Sequence, residues 1–147
     1  MFVLKINNNN GFTLIEILVT ITVLSIVLAV AVPKLDLNMG YLDKTSSEFV
    51  MDVRYVQIEN MKKPGSNYEI KIYRDSRKYY VRNGMNIEKT VIFKDRYNIN
   101  YNNGDVISFT CDGAPRKAGT FTITDTKTNE IKQITIVPAT GRTIILE

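Results

Sequence analysis

A lone carboxylate, Glu16, stands inside the 21 residues from Phe12 to Val32, which are otherwise apolar or small and hydroxylated. At a membrane helix centre an ionised carboxylate costs about 2.5 to 3.5 kcal/mol, and less near an end. The chemistry open to such a group is pairing with a cation that also leaves water. The remaining inventory is lean: the 147 residues include no His, no Trp and one Cys. That removes Ser-His-Asp and Cys-His nucleophilic sites and most zinc sites. Carboxylates and lysines remain as acid-base groups, and no pair of them is placed for such work, so no enzymatic role and no cofactor is expected.

Two further groupings have the composition of a binding surface. Arg74, Arg77, Lys78 and Arg82 interleave with Tyr73, Tyr79 and Tyr80, as on a nucleic-acid stacking surface; the competing reading is a solvated sheet edge whose charges discourage strand pairing. A net charge of +4 and a pI near 9.1 permit an anionic partner without requiring nucleic acid. Asp125, Asn129 and Glu130 crowd one loop but lack the alternating spacing and the glycine of a calcium loop, so a hairpin turn and no metal are expected. Cys111 stands at the end of an apparent strand and is expected to be a buried, inert thiol; alone it forms no internal disulfide.

The elements that carry these residues follow from periodicity. At 1.5 Å per residue, Phe12 to Val32 makes a helix of about 32 Å, matching a hydrocarbon core of about 30 Å. Lys5 before it and a long polar remainder after it favour a cytoplasmic N-terminus. Ala29-Val30-Ala31 offers a signal-peptidase site, but the run is longer than a secretory core and Pro33 adjoins the bond. A plain permanent anchor leaves Glu16 and the polar MFVLKINNNN prefix without a role. Beyond Pro33 an apolar stripe of Leu35, Met39, Leu42, Phe49, Val50, Val53 and Val56 predicts an amphipathic helix to Lys63, with Glu48, Asp52, Tyr55 and Glu59 on its exposed side. Pro33 and Gly40 mark a kink or melted stretch, and Lys62-Lys63-Pro64-Gly65 a stop. From Asn67 the period changes to two, predicting eight short strands near 68–74, 78–82, 90–94, 97–101, 106–110, 120–124, 131–137 and 142–146. A head of about 80 residues buries too little alone, so the stripe should complete its core.

Gly11-Phe12-Thr13-Leu14-Ile15-Glu16, after a short polar leader and before a long apolar helix, resembles the class III signal of type IV prepilins and pseudopilins. The resemblance implies a prepilin peptidase that cuts between Gly11 and Phe12, N-methylation of Phe12, and a filament-assembly role for Glu16 and its neighbour Thr13. In that family the glutamate meets the terminal amine of a neighbouring subunit. Ile107-Ser108-Phe109, Gly113, Gly119-Thr120-Phe121-Thr122-Ile123, Ile134-Thr135-Ile136 and Thr140-Gly141-Arg142-Thr143-Ile144, as an ordered set, resemble the GspH/FimT minor pseudopilins and the competence pseudopilin ComGD of Gram-positive bacteria.

The expected fold is α+β: a leader over 1–11, a transmembrane helix over 12–33, an amphipathic continuation over 34–65 and a mainly antiparallel β head over 66–147. The expected function is a minor pilin or pseudopilin that initiates or decorates a type IV filament, in a pilus, type II secretion or competence machine. Its partners would be other pilins, the peptidase and an inner-membrane assembly platform. It would be a single-pass cytoplasmic-membrane protein, its head outside, before joining an extracytoplasmic filament. The alternative is a DNA receptor of a competence pilus, with Arg74, Arg77, Arg82 and Arg142 as contacts. Gly141-Arg142-Thr143 is similar to the Gly-Arg-x-Arg tail of some DNA-uptake pilins, but Ile144 replaces the second arginine.

Overall fold

Residues 12–32, 40–63 and 65–146 are described by the computed structural model, and the chain divides between Met39 and Gly40 into two units. The first holds α1 (Leu14–Ala31), an 18-residue helix with no buried residue. Its side chains are apolar around the whole circumference apart from Glu16 and three hydroxylated residues, the composition of a membrane span. The Gly11 cut position, Pro33, Leu35, Met39 and Pro64 lie outside the described residues.

The second unit begins at Gly40, which precedes α2 (Tyr41–Lys62) with φ +80°. That left-handed backbone costs glycine no Cβ clash, and Gly40 stands as the N-cap of the helix. Eight strands follow: β1 (Tyr68–Tyr73), β2 (Lys78–Asn83), β3 (Asn86–Ile92), β4 (Tyr97–Tyr101), β5 (Val106–Ser108), β6 (Thr120–Asp125), β7 (Ile131–Ile136) and β8 (Thr143–Leu146). They form two antiparallel four-stranded sheets rather than one, in the orders β3-β2-β1-β5 and β4-β6-β7-β8. The division arises at β5, which returns to pair with β1 while β4 pairs forward with β6.

α2 packs against both sheets through Phe49, Val53 and Val56, each fully buried. The Phe49 ring stacks on Phe121 of one sheet at 3.8 Å and meets Tyr79 of the other edge-on at 5.3 Å. Ile70, Ile72 and Val81 from the first sheet and Ile99, Ile123, Ile134 and Ile136 from the second complete the core. Alternation holds cleanly on β6, where Phe121, Ile123 and Asp125 point inward and Thr120, Thr122 and Thr124 outward.

Two expectations are corrected. Asp52 is buried, not on the exposed side of the helix, because its carboxylate has partners on β2 and β3. Cys111 is exposed, because β5 ends at Ser108 and the cysteine falls in the turn beyond it.

Candidate functional site

The start of α1 is built by a capping box. Thr13 is the N-cap, in extended conformation, and its Oγ1 accepts the Glu16 N–H at 3.3 Å. Glu16 reaches back, and its Oε2 accepts both the Thr13 N–H and the Thr13 hydroxyl at 2.8 Å. The Thr-x-x-Glu spacing therefore satisfies two donors that a helix start leaves orphaned. Among the described residues Oε1 of Glu16 accepts no hydrogen bond, and Phe12 beside it is 86% exposed.

Every other polar side chain of α1 is satisfied by its own helix. Thr20 Oγ1 donates to the carbonyls of Glu16 and Ile17, Thr22 Oγ1 to those of Leu18 and Val19, and Ser25 Oγ to that of Ile21, all at 2.8 to 2.9 Å. Such back-bonding lets hydroxyls sit in lipid without a partner. Glu16 is thus the one side chain of the span with charge left to offer, next to the expected new N-terminus.

In the head, α2 supplies a polar flank that periodicity does not reveal. Asp52 accepts the Tyr79 hydroxyl at 2.7 Å and the Lys89 ammonium at 2.8 Å, and Lys89 also pairs with Glu48 at 2.9 Å. Burial, then the bond to Asp52, holds the Tyr79 phenol far above its ordinary pKa. Burial pulls the Lys89 ammonium down, but Asp52 and Glu48 outweigh it and leave its pKa raised. Tyr55 donates to Glu88 at 2.9 Å, which raises the phenol's pKa, with burial adding to the effect. Further along α2, Gln57 Nε2 donates to the Gly113 carbonyl at 2.7 Å and the Thr140 carbonyl at 3.4 Å. It holds two loops against the helix where Gly113 and Gly141 adopt φ +82° and +64°.

Of the four arginines named as nucleic-acid contacts, Arg74 and Arg77 share the β1–β2 turn, where the Arg77 N–H donates to the Arg74 carbonyl at 3.0 Å. Arg74 spans the sheets, donating to the Tyr101 and Gly104 carbonyls at 2.8 and 2.9 Å and pairing with Asp105 at 3.1 Å. Arg77, in a turn at φ +47°, pairs with Asp95 at 3.2 Å. Arg82 pairs with Glu69 across the β1–β2 ladder. Arg142 is exposed beside β8, its N–H held by Thr140 Oγ1 at 3.3 Å. Of the interleaved tyrosines, Tyr79 is buried, while Tyr73 and Tyr80 meet edge-on at 5.2 Å with the Lys78 ammonium over both rings.

The Asp125 loop is closed from within. Arg96 grips its carboxylate through Nε and Nη2, both at 2.6 Å, and the Lys127 N–H adds a bond at 2.8 Å. Arg96 first, with those backbone donors, holds the Asp125 carboxyl well below the usual carboxylate range against the opposing effect of burial. The arrangement is an Asx turn in the β6–β7 hairpin.

The family model described as the prokaryotic N-terminal methylation motif matches residues 6–32. No curated protein sequence matches the chain. Among solved structures, the minor pseudopilin EpsH from the type 2 secretion system of Vibrio cholerae is similar, with a TM-score of 0.57 at 13% identity over 71% of this chain and 94% of that one. At that identity the likeness is one of fold.

Proposed function

We propose that this chain, pilin-like in its N-terminal motif and its fold, is a minor pilin or pseudopilin: a structural subunit that initiates or decorates a type IV filament. The machine would be a type IV pilus, a type II secretion system or a competence apparatus. The observation that carries this reading is the state of Glu16, the one charged side chain in a span whose hydroxyls bond to their own helix. Cleavage between Gly11 and Phe12 creates a cationic amine. With Oε2 engaged by Thr13, Oε1 is the atom left for the amine of a neighbouring subunit. At 4 Å and an effective dielectric of 20 such a pair is worth about 4 kcal/mol before desolvation. That is comparable with the cost of holding the carboxylate in lipid. An unassembled subunit is penalised and a correctly staggered one is not.

On this reading residues 1–11 are a leader, 12–33 the anchor, 34–65 its amphipathic continuation and 66–147 the head outside the cytoplasmic membrane. The competence-receptor reading has less support, since three of its four arginines are ion-paired within the head. Co-expression with a prepilin peptidase tests the proposal: intact mass should fall by the first 11 residues and rise by one methyl group. An uncut chain, or one cut after Ala31, would overturn it.

A further inference from the structure

Two sheets present four edge strands, and three of them are guarded from within. β3 is bulged against β2 between Val81 and Arg82 and carries Glu88 and Lys89. On β4 the Tyr101 carbonyl accepts Arg74 at 2.8 Å and the Tyr97 N–H donates to Lys94 at 2.9 Å. On β5 the Ser108 carbonyl accepts the Arg116 N–H at 2.9 Å and Phe109 bridges Pro115. Bulges, edge charges and covering loops are how sheets avoid adding stray strands. Among the described residues β8 carries neither charge nor bulge: it reads Thr143-Ile144-Ile145-Leu146, and only its start at Gly141 meets the Gly113 loop.

The ladder shows which groups β8 leaves open. Ile136 N–H donates to Gly119 on the β6 side, and Val137 N–H donates to Arg142 on the other, both at 2.9 Å. Antiparallel alternation then commits the backbone of Arg142, Ile144 and Leu146 to β7 and turns that of Thr143 and Ile145 to the open edge. Side chains repeat the message. Ile145 lies opposite the fully buried Ile134 on the inner face yet is 41% exposed. The Thr143 hydroxyl is buried with no partner among the described residues.

We propose that β8 is the docking edge for a second copy of this chain, the two β8 strands joining antiparallel. A two-fold axis through Ile144 makes the open groups self-complementary: Thr143 of each copy faces Ile145 of the other, and each such pair exchanges both its hydrogen bonds. The same axis sets Ile144 against its equal and lays the Arg142 stem beside Leu146, so no like charges meet. The proposal goes beyond filament membership, since it uses neither α1 nor Glu16.

In this register the two Ile144 residues are a non-hydrogen-bonded pair with Cα atoms about 4.5 Å apart, within disulfide reach. The test uses the full chain in membranes with Cys111→Ser, adds Ile144→Cys, and reads mild oxidation on a non-reducing gel. Most of the chain should run at twice the monomer mass. Ile87→Cys, exposed on β3, should stay monomeric, and adding Ile145→Pro, which removes only an outward N–H, should abolish the Ile144→Cys dimer. A further arm needs no thiol: Ile144→Lys should halve the mass of the detergent-solubilised protein. Dimer no more abundant than in Ile87→Cys, dimer indifferent to Ile145→Pro, an unchanged mass in Ile144→Lys, or a product containing another protein would each overturn the assignment.

Discussion

The Tyr79 hydroxyl on β2 donates to the Asp52 carboxylate on α2 across 2.7 Å, and Lys89 from the edge strand β3 grips the same carboxylate. The helix is therefore pinned to the first sheet by a charged group as well as by apolar contact. Asp52→Ala strands the buried Tyr79 hydroxyl and leaves Lys89 with Glu48 alone, and should destabilise the head by about 2 kcal/mol. Tyr79→Phe leaves the carboxylate with Lys89 and should cost about 1 kcal/mol. Denaturant unfolding of both single variants and the double checks this, and strictly additive losses would show that the two groups do not interact.

The Arg96–Asp125 pair sets an acid limit. A carboxyl whose pKa is depressed in the folded state contributes stability that is present above its unfolded value, about 3.9, and lost as pH falls through the folded one. Melting temperature should drop below about pH 4, and Asp125→Asn should flatten that drop. The variant should also be less stable near neutrality, because the Arg96 guanidinium exchanges a carboxylate for a neutral amide oxygen.

Gly141 and Gly84 both have positive φ, but their surroundings differ. A Cβ on Gly141 would sit 2.6 Å from the Gly113 carbonyl oxygen and 2.5 Å from Gln57, whereas one on Gly84 meets nothing within 4 Å. Gly141→Ala should cost about 2 to 4 kcal/mol and Gly84→Ala about 1 kcal/mol. Equal thermal shifts for the two would contradict the clamp around Gln57.

A fragment beginning at Gly40 keeps Leu42, Phe49, Val53 and Val56 over the sheets and should melt cooperatively, whereas one beginning at Asn67 exposes the face they cover. Circular dichroism melts of the two fragments decide this, and equal stability would mean that α2 does not complete the core.

If Glu16 pairs as proposed, Glu16→Val removes the lipid penalty and the acceptor for the Phe12 amine together. Membrane insertion should survive while recovery of the variant in sheared filaments falls at least tenfold, the effect of losing about 1.4 kcal/mol or more of pairing energy. Normal recovery would rule the pairing role out.

Much of the head was readable from its alternation, because strands that are half buried write their pattern locally. Strands were expected at all eight places, and the Asp75–Arg77 and Lys127–Asn129 turns lie where their chemistry put them. β3 begins at Asn86 rather than near Thr90 because Gly84-Met85, with Gly84 at φ +59°, is the two-residue hairpin loop between the paired Asn83 and Asn86; a glycine at the first loop position is the signal in the sequence. The split into two sheets depends on which distant strands pair, which no window of sequence encodes. Asp52 escapes the pattern for the same reason: helical periodicity sorts it with the polar face, and its partners lie 27 and 37 residues downstream. Gln57 carries no pattern at all and matters only through the loops it meets. At the N-terminus the reverse holds, since Thr13 and Glu16 form a local motif whose geometry follows from spacing alone.

The hydroxyls of Thr20, Thr22 and Ser25, folded onto their own carbonyls, leave α1 without a compass. A helix equally greasy at every azimuth gives a neighbour no reason to prefer one side, and lateral packing then sorts by shape alone. Only the carboxylate near one end reports position: its height along the axis and the one side from which it projects. Beyond that end, a bundle of such helices can admit unlike neighbours at any bearing.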